Sequence, residues 1–480
     1  MNNRNHTTAH RGGGTTRRTA VADARTVAWD VLIEVEKEDA YANLLLPRRL
    51  KHARLSPADA ALATELTYGT LRGQGFYDAV IESAAGRTMS SMEPVVRTAL
   101  RLGAHQILSM RIADHAAVGE TVAIVKRRLP RATGIVNAVL RRVSERTRED
   151  WLTLVSTSLD EMGRLALEYS HPAWIVRALR QALHAHGRDR AELAELLAAD
   201  NAPAAVDLVA LPGLADRAEL ARRVGTPTRL SPLGVELSHG NPLDVPEVAE
   251  GTARVQDEGS QLVALALLAA PAPADTAGAS WYDMCAGPGG KTSVIGSRAA
   301  ELGRVVVASD ASKHRAELVR DSTRALRGTV KTVNADGREF ARKHPGEFAR
   351  VLVDAPCTGL GALRRRPEAR WRRRPADIAG LGPLQRELLE AAWEATAVGG
   401  VVAYSTCSPH AAETTVVLED ALRVLPGARL LDAADVLARV TGAAAGEFAS
   451  ASLAGGRAAQ LWPHLHGTDG MFLALIAKDA

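Results

Sequence analysis

Three cysteines occur in the 480 residues, and each follows or ends a strand-like run. Cys285 lies in Asp283-Met-Cys-Ala-Gly-Pro-Gly-Gly-Lys291, Cys357 in Asp354-Ala-Pro-Cys-Thr-Gly359, and Cys407 in Ser405-Thr-Cys-Ser-Pro409. A free cysteine usually serves as a small buried hydrophobe, but packing alone does not ask for three strand ends. Zinc is a poor match, because there is no Cys-x-x-Cys pair and the histidines near Cys407 are isolated. Covalent catalysis suits these positions better. Carbon 5 of a pyrimidine is too weak a nucleophile to take a methyl group from a sulfonium. A thiolate added at carbon 6 turns the ring into an enamine, which is strong enough. The reaction needs ionised sulfur, although a free thiol titrates near about 8.5. Ser408 and Pro409 read as the cap and first residue of a helix, whose positive end would favour a thiolate at Cys407. Asp354 is placed to hold or protonate the base edge. The residues alone leave open whether Cys357 or Cys407 attacks.

The glycine turn indicates a cofactor. Cys285, Ala286, Gly287, Pro288, Gly289, Gly290 and Lys291 let the backbone approach a ligand and turn directly into a helix, whose free N–H groups favour an anion. A phosphate-binding loop would need glycine where Cys285 stands, and the dinucleotide pattern would need glycine where Thr292 stands. Asp310 follows the second strand at the spacing of an acid that meets ribose hydroxyls. Asp336 follows the third strand, where a carboxylate could meet an adenine amino group. These features fit a nucleoside cofactor without a pyrophosphate, such as S-adenosyl-L-methionine.

The elements that position these residues are repeated strand–helix units. Trp281–Cys285, Arg304–Ser309, Thr329–Asn334, Arg350–Asp354, Val401–Ser405 and Met471–Ala477 read as strands. Their alternation with helices predicts a doubly wound, mostly parallel sheet with ligands at the carboxyl ends of the strands. Upstream, apolar residues recur at helical spacing from Val21 to Val143, and Ser56-Pro57 marks a helix start. The expected domains are a disordered tail (1–20), an all-α domain (21–148), a small α/β module (149–250) with strands near Val206–Leu211 and Gly234–Leu237, and a Rossmann-like methyltransferase domain (251–480).

Together the motifs from Asp283 to Lys291, Asp354 to Gly359 and Ser405 to Pro409 resemble the RNA (cytosine-5-)-methyltransferases of the Nol/Nop/Sun group. The helical region is similar to the NusB antitermination factor. That pairing resembles the bacterial Sun (Fmu) type of small-subunit ribosomal RNA methyltransferase. The resemblance implies that Cys285 to Lys291, Asp310, Asp336 and Asp354 line the cofactor and base pocket. It implies Cys407 as nucleophile and Cys357 as the thiol that aids product release. DNA methyltransferases use the cysteine of a Pro-Cys pair, which here is Cys357. The motif Val255-Gln-Asp-Glu-Gly-Ser-Gln261 also looks like the family's and implies a structural role around the cofactor. One departure is Ala205-Val-Asp-Leu-Val-Ala210, where the family usually shows Arg and Asn.

The net charge of +4, from 59 basic and 55 acidic residues, says little. Its distribution says more. Thr121–Arg148 carries eight Lys/Arg and one acid, and Arg364–Arg374 carries seven Arg and one Glu, with Trp371 among them. The second stretch is expected to form a basic, aromatic loop beside the base pocket, holding phosphates while Trp371 stacks. Ribosomal RNA is therefore the expected partner, offering a single-stranded or loop cytosine. No apolar run reaches the ~18 residues of a membrane span. Three cysteines cannot build a disulfide framework, so a reduced, cytoplasmic, metal-free monomer is expected. The competing readings are a ribosome-assembly protein with an inert methyltransferase fold, and an enzyme acting on an exocyclic amine.

Overall fold

The N-terminal part folds as helices because its apolar residues return every three or four positions to one face. The computed structural model describes residues 23–38, 40–453 and 456–479; the expected tail at 1–20 lies outside them. Helices from Ala24–Glu38 to Thr133–Val143 bury Val31, Leu66, Leu100, Leu102, Val136 and Leu140 in one core. Ser56 caps the helix Pro57–Arg72 by accepting from the Asp59 amide. Trp151, on the helix Arg148–Val155, also enters this core, so the bundle continues past residue 148.

The helices Glu161–Glu168, Ala173–Ala185 and Leu193–Asn201 pack with Leu360, Leu363 and Trp462 of the C-terminal region. A small antiparallel sheet follows, made of β1 (Asp207–Ala210), β2 (Gly225–Pro227), β3 (Gly234–Leu237) and β4 (Ala253–Val255), in the order β2-β3-β1-β4. β1 and β3 lie where strands are expected. β4 lies beyond residue 250.

The C-terminal domain is a mixed sheet with helices on both faces. Its strands are β5 (Ser280–Asp283), β6 (Val306–Asp310), β7 (Val330–Asn334), β8 (Phe348–Asp354), β9 (Thr396–Thr406), β10 (Ala428–Leu430), β11 (Ala449–Leu453), β12 (Gly456–Gln460) and β13 (Phe472–Lys478). The order is β11-β12-β13-β9-β8-β5-β6-β7, with β10 on β13. β5 to β9 run parallel and β13 antiparallel. Side chains alternate between faces. Trp281, Leu352 and Val401 enter one core, while Tyr282, Val351, Val353 and Tyr404 enter the other. Among the described residues no helix is long and apolar enough to cross a membrane.

The arginine-rich stretch differs from expectation. Arg364 donates to Asp469 (3.1 Å) and Asp257 (3.2 Å). Arg365 donates to Asp257 (2.6 Å), Asp207 (3.0 Å) and Asp469 (3.1 Å). Arg370 is wholly buried and donates to Asn201 Oδ1 (2.8 Å) and the carbonyls of Ser170 (3.0 Å) and Asp200 (3.2 Å). Arg372 donates to the carbonyls of Val35 and Ala40. Trp371 packs so closely on Gly75 that a Cβ there would lie 2.4 Å from its ring. Arg364, Arg365, Arg370, Arg372 and Trp371 are thus not a phosphate-holding, base-stacking loop, while Arg366 and Arg374 stay exposed. Those five form an interlock between the helical domain, the middle region and the sheet. Sequence counting misses this because the compensating acids lie a hundred residues or more away.

Removing one member of a buried ion cluster strands the others in a medium that solvates charge poorly. Arg365→Met is therefore expected to cost about 3–5 kcal/mol in the first denaturation transition. The exposed Arg374→Met should change it by under about 0.5 kcal/mol. Equal effects in the two variants would contradict the interlock.

Candidate functional site

Adjacent parallel strands deliver the chemistry. β8 and β9 are paired with Asp354 opposite Ser405, so the loops that follow them emerge side by side. Ser405 Oγ donates to Asp354 Oδ1 (2.9 Å), and Lys291 Nζ donates to Asp354 Oδ2 (2.7 Å). Lys291 reaches there from the first turn of the helix Gly290–Glu301. Beyond Asp354 and Ser405 the two sulfurs of Cys357 and Cys407 lie 3.3 Å apart. Glycine permits this packing: a Cβ on Gly361 would fall 2.0 Å from the Gly470 carbonyl oxygen.

The surroundings treat the two thiols differently. Cys407 is held below the ordinary thiol range, chiefly by a hydrogen bond from Cys357, with Lys291 and Arg366 adding positive charge against the cost of burial. Cys357 is pushed up by that same hydrogen bond, by burial, and by the nearby Glu413 and Asp354 carboxylates. The 3.3 Å contact lets one proton serve both sulfurs, and the surrounding charges favour it on Cys357. Burial works against the charge on Lys291, but Asp354 raises its pKa above the usual lysine value. The expected helix start at Pro409 is absent. Ser408 Oγ donates to Glu413 instead; a short 3₁₀ turn spans Ala411–Glu413, and the next α-helix begins at Thr415. Cys357 and Lys291, rather than a helix end, favour the Cys407 thiolate.

The glycine turn occupies the carboxyl end of β5. Gly289 has φ +101°, which glycine alone adopts readily. The amide of Gly287 donates to Asp310 Oδ2 (3.1 Å), and a Cβ there would lie 2.6 Å from that oxygen. Asp310 Oδ1 accepts from the Ser312 amide (2.9 Å), and Arg315 flanks the carboxylate. Asp336 caps the helix Gly337–Arg342 and is ion-paired with Arg338 (2.6 Å). Cys285 and Ala286 lie within the turn; burial pushes the Cys285 thiol well up, so it stays protonated. Pro288 contributes its carbonyl, which accepts from Ser322 Oγ (2.6 Å).

Two buried oxygens lack a protein partner at this turn. Asp283 Oδ2 accepts from Thr292 Oγ1 (2.7 Å), but Oδ1 has none, and burial raises the carboxyl to about 7. Gln256 Oε1 is also unpartnered, next to Gly290. Open acceptors beside an uncapped helix N-terminus fit the ammonium and carboxylate of an amino-acid-bearing nucleoside. The other residues of the Val255–Gln261 motif are structural: Glu258 accepts from the amides of Leu230 and Ser231 (both 2.6 Å). Sequence reasoning assigns no role to Asp283 or Ser405, although their strand-end positions are a signal. Glu413 gives no signal, since Ala411-Ala-Glu-Thr414 reads as an ordinary solvent-facing turn. Among the described residues no group of three His, Cys, Asp or Glu could hold a metal.

Comparison with known proteins agrees with this geometry. Residues 266–477 match the family model described as 16S rRNA methyltransferase RsmB/F, and residues 22–145 match the NusB family. A Mycobacterium tuberculosis protein named as a methyltransferase, Rv1407, is 47% identical over 96% of this chain and 98% of its own length. Ribosomal RNA small subunit methyltransferase B of Vibrio cholerae is 34% identical over 86% of this chain and 92% of its own. The crystal structure of PH0851 superposes with a TM-score of 0.77 at 23% identity, covering 94% of this chain and 98% of that one, and so shares the fold.

Loss of the Lys291 charge should raise the Cys407 pKa. Lys291→Met is therefore expected to shift the pH profile of iodoacetamide alkylation at the Cys407 peptide upward by about one unit, a differential interaction of about 1.4 kcal/mol. An unmoved profile would show that Lys291 does not act on the thiolate.

Proposed function

The chain belongs to the RsmB/F family of 16S rRNA methyltransferases, and on that premise we propose that it methylates carbon 5 of a cytosine through a transient bond from Cys407 to carbon 6. Membership makes it an S-adenosylmethionine-dependent RNA methyltransferase. The observation that carries the finer reading is the 3.3 Å thiol pair with Lys291 and Asp354 beside it. An exocyclic amine needs no sulfur nucleophile, so that pair would have no purpose in an amine methyltransferase.

Asp283, Gln256 and the turn Cys285–Lys291 would hold the cofactor's amino-acid part, and Asp310 and Asp336 its nucleoside. When bound, S-adenosylmethionine supplies an electrophilic methyl group on sulfur. The Cys407 thiolate adds to carbon 6 of the base, and electron density moves to carbon 5, which takes up the methyl. Loss of the carbon 5 proton to a base then expels Cys407 as thiolate and restores the ring. The Asp354 carboxylate, held by Lys291 and Ser405, is suited to accept from the cytosine amino group, the donor that uracil lacks. Cys357, protonated and in contact with Cys407, is suited to assist the release. All these groups come from one chain, so a monomer suffices.

The RNA path follows exposed positive charge. Arg366 is exposed and contributes to the potential at Cys407. Arg177, Arg180 and Arg190 line a cleft of about 360 Å³ with Met162 and Gln181. The helix that carries Arg177 and Arg180 leads to His186, whose Nε2 lies 2.9 Å from the Pro409 carbonyl, beside the nucleophile. The basic stretch at 121–148 is partly neutralised: Arg128 pairs with Asp30 (3.1 Å) and Arg131 with Glu93 (2.9 Å).

Two outcomes are expected. Cys357→Ala should accumulate protein covalently joined to RNA. Cys407→Ala should lower transfer by roughly 10³-fold or more and form no adduct. Adduct in the second variant, or methyl on an exocyclic amine after nucleoside digestion, would overturn the mechanism. Separately, Arg177→Ala with Arg180→Ala should reduce the slope of log affinity against log salt on single-stranded RNA. The reduction should be about 0.7 for each phosphate that the arginines no longer neutralise. An unchanged slope would exclude the cleft from the path.

A further inference from the structure

Glu413 is wholly buried; among the described residues no ion pair includes it, and His410 is the ionisable side chain on which its charge acts from the same turn. Glu413 sits on the short 3₁₀ turn Ala411–Glu413, between β9 and the helix Thr415–Val424. Its Oε1 accepts from the backbone amide of Thr358 (2.8 Å) and from Gln385 Nε2 (3.4 Å). Its Oε2 accepts from Thr358 Oγ1 (2.5 Å) and Ser408 Oγ (2.6 Å). Gln385 also donates to the Pro356 carbonyl (2.8 Å), and Thr358 Oγ1 lies 3.2 Å from Ser408 Oγ. The network therefore grips the residues on both sides of Cys357 and the residue directly after Cys407.

A neutral side chain could brace these loops. Here, however, four donors converge on two oxygens, an arrangement that suits an acceptor-only carboxylate better than an amide. The charged groups around the thiols give that carboxylate a use. Lys291 and Arg366 lie on the Cys407 side, while Asp354 acts on both sulfurs. Glu413 opposes ionisation of Cys357.

Building on the function proposed above, we infer that Glu413 is a positioning residue that locks the two cysteine loops in register and reserves the shared proton for Cys357. The nucleophile is thereby chosen electrostatically. Two sulfurs in contact could otherwise exchange roles, with the proton on Cys407 and the thiolate on Cys357.

The experiment is competitive alkylation of the full-length protein with limiting iodoacetamide at pH 7.5, with label counted on the Cys357 and Cys407 peptides. Wild type should label Cys407 predominantly. Glu413→Gln keeps the shape and removes the charge, and it should raise the Cys357:Cys407 labelling ratio at least tenfold in the folded fraction. Ser408→Ala keeps the charge and loses one donor, and it should move the ratio far less. A Glu413→Gln ratio within twofold of wild type would overturn the inference, even if the yield of folded protein falls. If Glu413→Gln does not fold, Thr358→Val with Ser408→Ala carries the test. That pair strips both hydroxyl donors from Oε2, and it must shift the ratio at least threefold for the inference to stand. The ratio is read without RNA, so failure of cytosine transfer would sink the function proposed above and leave this result standing.

Discussion

One proton between two sulfurs governs this site. Cys357 and Cys407 touch at 3.3 Å in a place that burial makes unfavourable for any thiolate. Two anions cannot coexist there, and two neutral thiols would be inert toward a pyrimidine. The workable state has one of each, and the surrounding charges select which is which. Lys291 and Arg366 act on Cys407, Glu413 acts on Cys357, and Asp354 acts on both. The proposed nucleophile and its assistant would thus arise from a single arrangement.

The sheet makes that arrangement possible. The two cysteines are 50 residues apart in sequence, yet β8 and β9 are parallel neighbours in a register that sets Asp354 against Ser405. Short loops then bring sulfur to sulfur. β13 braces the far side of β9, and Gly361 and Gly470 allow the loop after β8 to settle on the turn before β13. The glycine turn follows β5, which neighbours β8 in the same sheet, so Lys291 reaches Asp354 without any long excursion.

Much of this is legible from residues, for identifiable reasons. Short runs rich in Val, Leu, Ile or aromatic residues and bounded by turns mark β5 to β9 and β13, and most of them are buried. β11 and β12 are not. Ala449-Ser-Ala-Ser-Leu453 and Gly456-Arg-Ala-Ala-Gln460 are poor strand formers that pair because a neighbouring strand offers an edge. The cysteines, Asp354 and the glycine turn are visible because their types are rare and their positions regular. Glu413 and the acids that neutralise Arg364 and Arg365 are invisible, because a carboxylate's partner is set by tertiary contact and not by spacing. The same blindness turns an internal interlock into an expected RNA-binding loop, and a serine that clamps Glu413 into an expected helix cap.

The central claim is that sulfur 407, and not sulfur 357, bonds to the base. RNA bearing 5-fluorocytosine cannot lose the carbon 5 substituent as a proton, so an adduct formed on the unmodified protein should persist. Proteolysis and mass spectrometry of that complex should find the nucleotide on the peptide containing Cys407. Its recovery on the peptide containing Cys357 would contradict the account.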